Sequence, residues 1–134
     1  MPGLDTNVLV RWLLNDDVKQ AARVQVLFES ARENQSILFV PSTVALELEW
    51  VLRSRYKFNK TAVLEAFNAL LETQEIEFQD ESAVERALHL YRLNSAEFAD
   101  CIHAGTCRAA DRAPLLTFDK RAARLAHVEM LEAG

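Results

Sequence analysis

Apolar residues recur at helical spacing along most of the chain, and short strand-like runs interrupt them. Val8, Leu9, Trp12 and Leu13 predict a first helix over residues 7–14, which Asn15-Asp16-Asp17 breaks. Ala21, Val24, Leu27, Phe28 and Ala31 form the stripe of a second helix over residues 18–33. Ile37-Leu38-Phe39-Val40 is a continuous apolar run between polar residues, the pattern of a buried parallel strand. Pro41-Ser42 opens a third helix over 43–55, and Asn59 is placed to cap a fourth that carries Val63, Phe67, Leu70 and Leu71. Glu75-Ile76-Glu77-Phe78 alternates, as a strand with one wetter face does. Asp80 is expected to cap a helix over 81–93, and residues 96–110 form another. Residues 114–118 then predict a buried strand, Asp119 starts a short helix, and residues 128–131 form a last edge strand.

Strands separated by helices imply βα units and a mostly parallel sheet covered on both faces. No internal repeat, linker or low-complexity stretch interrupts the 134 residues, so one α/β domain over residues 1–134 is expected. Three Gly and three Pro leave little room for long loops. No apolar run is long enough to span a bilayer and the first residues lack a basic, apolar leader, so a cytoplasmic location is expected. Cys101 and Cys107 lie on different sides of one predicted helix and are expected to be free, buried thiols. The net charge of −5 speaks against nucleic-acid binding by bulk attraction, though not against clustered acids occupied by cations.

The candidate chemistry lies in the acids. Asp5 and Asp119 each follow an apolar strand-like segment directly, and in open parallel sheets ligands bind outside the carboxyl ends of the strands. Either could merely cap the next helix; two strand-end acids on one rim shift the balance toward function. Glu47 has mostly apolar helical neighbours (Val44, Trp50 and Val51), so it is expected on a buried face, where a carboxylate is costly unless paired or bound to metal. Glu49 instead precedes Arg53 by four residues and reads as half of a surface ion pair. Asp100 follows Glu97 by three, which puts two like charges on one side of a helix unless a cation lies nearby. Carboxylate-only sites suit hard cations such as Mg²⁺ or Mn²⁺. With no nucleophilic Ser or Cys arrangement and no phosphate-cradling glycine loop, the four acids point to metal-assisted phosphodiester hydrolysis.

Asp5-Thr6-Asn7-Val8-Leu9, Glu47-Leu48-Glu49-Trp50-Val51-Leu52, Phe98-Ala99-Asp100 and Leu116-Thr117-Phe118-Asp119 occur in the order found in PIN domains. Over essentially its whole length the chain resembles the VapC-type ribonuclease toxins of bacterial toxin–antitoxin modules. No single motif is specific; the four together are. The resemblance implies a PIN-like α/β domain with a central, mostly parallel sheet of about four to five strands flanked by helices. It implies a Mg²⁺- or Mn²⁺-dependent endoribonuclease whose catalytic, metal-binding acids are Asp5, Glu47, Asp100 and Asp119, with Glu97 as a further candidate ligand. Asn7 and Thr117 match polar positions that support the site in relatives. It also implies a homodimer, and a small DNA-binding antitoxin covering the acidic rim.

Lys120 and Arg121 directly follow Asp119 and are candidates for RNA-phosphate contacts, whereas the basic residues from Arg53 to Lys60 read as a solvated face. His89, His103 and His127 read as structural, and Trp12, Phe28, Trp50 and Tyr56 mostly as core. A haloacid-dehalogenase-like phosphatase is the competing enzyme, but it wants a second acid two residues after Asp5, where this chain has Asn7. Two further alternatives are a PIN-like nuclease of RNA processing without an antitoxin, and a non-catalytic PIN-like module acting through its partner complex.

Overall fold

The computed structural model describes residues 2–131. Its contacts divide the chain into two compact units, Met1–Gln79 and Asp80–Gly134.

The first unit contains helices α1 (Thr6–Leu13), α2 (Val18–Glu33), α3 (Ser42–Ser54) and α4 (Lys60–Leu71), with strands β1 (Leu38–Val40) and β2 (Ile76–Phe78). β1 pairs in parallel with β2, Leu38 opposite Ile76 and Val40 opposite Phe78. On its other side β1 takes up the amino-terminal segment: Leu4 N donates to Phe39 O at 2.7 Å, and Phe39 N donates to Pro2 O at 2.9 Å. That pairing makes residues 2–4 strand-like and sets Asp5 at their carboxyl end. Leu9, Leu48, Leu52, Val63, Phe67 and Leu70 are fully buried, each contributing about 1.5–3 kcal/mol of burial. Trp12 stacks on Phe28 with ring centroids 4.0 Å apart, joining α1 to α2. Asn59 caps α4 as expected, accepting from Ala62 N at 2.8 Å.

The second unit contains α5 (Glu81–Leu93), α6 (Phe98–Ala109), strands β3 (Leu115–Thr117) and β4 (Val128–Met130), and a 3₁₀ turn at Ala122–Arg124. β3 and β4 pair in parallel, Leu115 opposite Val128. The helices α5 and α6 approach closely at Gly105, where a Cβ would lie 2.6 Å from Ala83 O. Tyr91 meets Phe98 edge to face at 5.2 Å. The α/β class and the parallel pairing match the sequence pattern, and the four strands pair two and two. No helix among the described residues is long and apolar enough to cross a membrane.

Several local expectations are corrected. Glu47 is exposed, whereas Glu49 is buried at 3% exposure and receives Arg53 Nε at 2.8 Å. The ion pair is present as expected, but it satisfies a buried carboxylate instead of decorating a surface. Asp80 precedes α5 without a side-chain cap, because its left-handed backbone (φ 51°) departs from the extended geometry of an N-cap. β3 is half-exposed, with Leu116 at 55% and the adjoining Phe118 at 72%, since only alternate positions of a two-stranded pair face the unit's interior. Trp50 lies at the surface and Cys107 is only half-buried.

Arg32 Nε donates to Glu75 Oε1 at 2.8 Å, tying α2 to the residue before β2. That hydrogen bond is the main cause holding the Glu75 carboxyl below the usual carboxylate range. A carboxyl with a lowered folded-state pKa stabilises the fold above its unfolded pKa, and that contribution is lost as pH falls through the folded value. Glu75→Gln is therefore expected to unfold at lower urea than the parent at neutral pH, with the gap closing in acid. The gap should be small, because Arg32 is 72% exposed and the pair is screened. Urea midpoints measured from neutral pH into the acid range check it; a gap independent of pH would contradict the pairing.

Candidate active site

In the first unit two of the four acids meet on one residue. Asp5 is the N-cap of α1, and its Oδ1 accepts from Thr6 N at 2.7 Å. The Thr6 side chain, buried at 3% exposure, donates from Oγ1 to Glu47 Oε1. Backbone and side chain of Thr6 thus hold two carboxylates that are forty-two positions apart in sequence. Both Asp5 and Glu47 are exposed, and neither is in an ion pair among the described residues. One carboxylate oxygen of Asp5 closes the helix, so the cap role uses only part of the group. Asn7 is exposed on the first turn of the same helix.

In the second unit Asp100 is half-buried in the first turn of α6, and Asp119 is exposed beyond the end of β3. The Asp119 carboxylate accepts from Arg121 N at 2.7 Å and from Ala122 N at 3.1 Å, which closes the turn. Thr117 Oγ1 accepts from Asp119 N at 3.0 Å, so this threonine fixes the backbone that carries the acid. Arg121 reaches across to the entry of α6, donating to Ser95 O and lying 3.8 Å from the Glu97 carboxylate. Glu97 therefore has its counter-charge within the protein. Asp100 and Asp119 are in no ion pair among the described residues. Lys120 is exposed.

The donor set suits a hard cation. All donors are carboxylate oxygens, without His or Cys, and Mg²⁺ is commonly held by one or two carboxylates while keeping several waters. The pair on Thr6 meets that requirement with oxygens facing solvent. No group of three His, Cys, Asp or Glu residues able to hold a metal occurs among the described residues, so the pair does not extend to a closed, all-protein cage. Thr6 is the residue that sequence reasoning missed. Its only signal was a hydroxyl directly after the strand-end acid.

Comparison with known proteins gives the family. The family model described as PIN domain matches residues 4–128. The chain is similar to a protein named VapC ribonuclease from Aquifex aeolicus (strain VF5). They are 25% identical over 125 residues, which cover 93% of this chain and 92% of the relative.

The bridge through Thr6 can be measured without activity. Thr6→Val removes the hydroxyl and keeps the bulk, and Glu47→Ala removes the acceptor. Each is expected to destabilise the protein, with a coupling of about 0.5–1 kcal/mol in a double-mutant cycle read by urea unfolding. Additive effects would show that the two side chains do not interact.

Proposed function

The chain belongs to the PIN domain family, and we propose that it is a metal-dependent endoribonuclease, the toxin of a toxin–antitoxin module. The observation that carries this reading is the pair of exposed carboxylates, Asp5 and Glu47, gathered on Thr6 and left without a counter-cation. The similarity to the VapC ribonuclease over nearly the full length of both chains supports RNA as the substrate and a small DNA-binding antitoxin as the partner. In this proposal residues 1–134 act as one nuclease domain in the cytoplasm, as a homodimer.

Asp5 and Glu47 in the first unit, and Asp100 and Asp119 in the second, are the proposed ligands of Mg²⁺ or Mn²⁺. When bound, the cation lowers the pKa of the attacking water and offsets charge building on the phosphoryl group. The chain's own work is positional. Thr6 fixes the Glu47 carboxylate and, with α1, the Asp5 carboxylate. Thr117 and the turn amides of Arg121 and Ala122 fix Asp119. Glu97 is a supporting acid, engaged by Arg121, and Asn7 supports the same rim as Asp5. Lys120 is the freer of the two proposed phosphate contacts, since Arg121 is already tied to the start of α6. Hydrolysis adds water across one phosphorus–oxygen bond and leaves one strand end with the phosphate and the other with a hydroxyl.

Asp5→Asn separates the chemistry from the fold. Asparagine caps a helix about as well as aspartate, so α1 keeps its N-cap while the site loses a charge. The expected outcome is that purified parent protein cuts cellular RNA into discrete fragments with Mg²⁺ or Mn²⁺ and not with EDTA. Asp5→Asn should lose cleavage by at least about 100-fold, roughly the 3 kcal/mol expected on removing a charged ligand, with an unchanged melting temperature. Cleavage retained in EDTA, or by Asp5→Asn, would overturn the proposal. Absence of cleavage by the folded parent would favour the module that acts through its partner complex.

A further inference from the structure

A second cleft lies within the second unit, between α5, α6 and the turn before β4, with a volume of about 390 Å³. That is within the range of about 300–1,000 Å³ typical of small-ligand pockets. Arg86 from α5 and Arg108 from the last turn of α6 line it, with His89 and His127 beside them. Glu85 is the acid of the lining. None of these five side chains is in an ion pair among the described residues. The apolar part of the wall comes from Leu90, Ala104, Gly105 and Ala126. Gly105 lets α5 and α6 touch beside that wall, since its position has no room for a Cβ against Ala83 O. The far wall is fixed as well: Leu115 N donates to His127 O at 2.9 Å, so the turn is tied to β3.

The charge pattern is unusual for this chain. The protein carries a net charge of −5, yet this cleft collects two uncompensated guanidinium groups and two imidazoles against one carboxylate. A helix carboxyl terminus favours a cation, which accounts for Arg108. It does not account for Arg86, which lies near the middle of α5, or for the imidazoles. Guanidinium is the side chain suited to a phosphate, by its planar fork of donors, and an apolar floor suits the face of a base.

We propose that this cleft is a nucleotide-binding site, with Arg86 and Arg108 on the phosphate and the Leu90–Ala104–Gly105–Ala126 wall under the base. The phosphate belongs either to a free mononucleotide or to one nucleotide of an RNA strand. The site stands on its own residues and does not depend on the chain cutting RNA. Arg108 is eight residues beyond Asp100 on α6, about 12 Å along the helix axis, so the cleft is separate from Asp100.

Binding to the full-length parent protein is measured by calorimetry in EDTA, with adenosine monophosphate in one arm and a short single-stranded RNA in the other. Arg86→Ala and Arg108→Ala should each weaken binding about tenfold or more, the loss expected for one charge-assisted hydrogen bond. Lys19→Ala, which removes an exposed charge on α2 outside the cleft, should leave binding unchanged. Mononucleotide binding with this dependence assigns a free nucleotide; RNA binding alone with the same dependence assigns the strand. No binding in either arm, or equal loss in all three variants, would overturn the site. Both arginines are exposed, and thermal melts of the variants confirm that the fold is kept.

Discussion

The first unit depends on one stretch of parallel pairing. Phe39 gives its amide to Pro2 O and takes Leu4 N on its carbonyl, while the neighbouring Leu38 N donates to Glu75 O. β1 is thereby held on both sides, and every group that matters nearby is placed by it. The chain leaves the pairing at Asp5, so the carboxylate is delivered at a strand end. α1 begins at once behind it, because Asp5 supplies the cap that the first helical amides need. On the other side of β1 the chain turns at Pro41 into α3, which brings Glu47 to the Thr6 hydroxyl. Two carboxylates are thus gathered by backbone geometry first and by side-chain bonds second.

The acids of the described residues differ in whether an arginine engages them. Glu49 and Glu75 are buried, and each receives an arginine Nε at 2.8 Å, as a desolvated carboxylate must. Asp16 is engaged by Arg11 and Tyr56, and Glu97 by Arg121. Asp5, Glu47, Asp100 and Asp119 are bound only through neutral donors or through none among the described residues. They share that lack of counter-charge with exposed acids elsewhere, such as Glu85, and it is the pairing of Asp5 and Glu47 on Thr6 that sets the candidate site apart.

Regular elements were legible because their signals are local. The stripe from Ala21 to Ala31 marks α2, and Asn59 marks the start of α4, since both depend on residues within a turn or two. Burial was less legible. Neighbours three and four positions away placed Glu47 on an apolar face, yet Glu49 is the one the fold covers, because what packs on α3 comes from distant sequence. The same limit hid Thr6, whose partner lies forty-one residues on. It also made β3 look like a core strand, though Leu116 and Phe118 point away from the unit's interior. Asp5 and Asp119 were legible as candidates because strand-end position is a local property, and Asp100 because its spacing from Glu97 is. Their spatial relations were not.

Helix α6 shows how a single element can serve opposite charges. Its first turn carries Asp100 and its last turn Arg108, which is the order the helix dipole favours, acid toward the amino end and base toward the carboxyl end. The peptide dipoles therefore stabilise the acid and the base at the ends where each stands. Salt pairing between the two is excluded by their separation of about 12 Å along the axis. Each charge is left available to an external partner at its own end. The two proposals draw on this segregation: the proposed metal ligand Asp100 and the proposed phosphate contact Arg108 stand in the first and last turns of one helix, and neither is in an ion pair among the described residues.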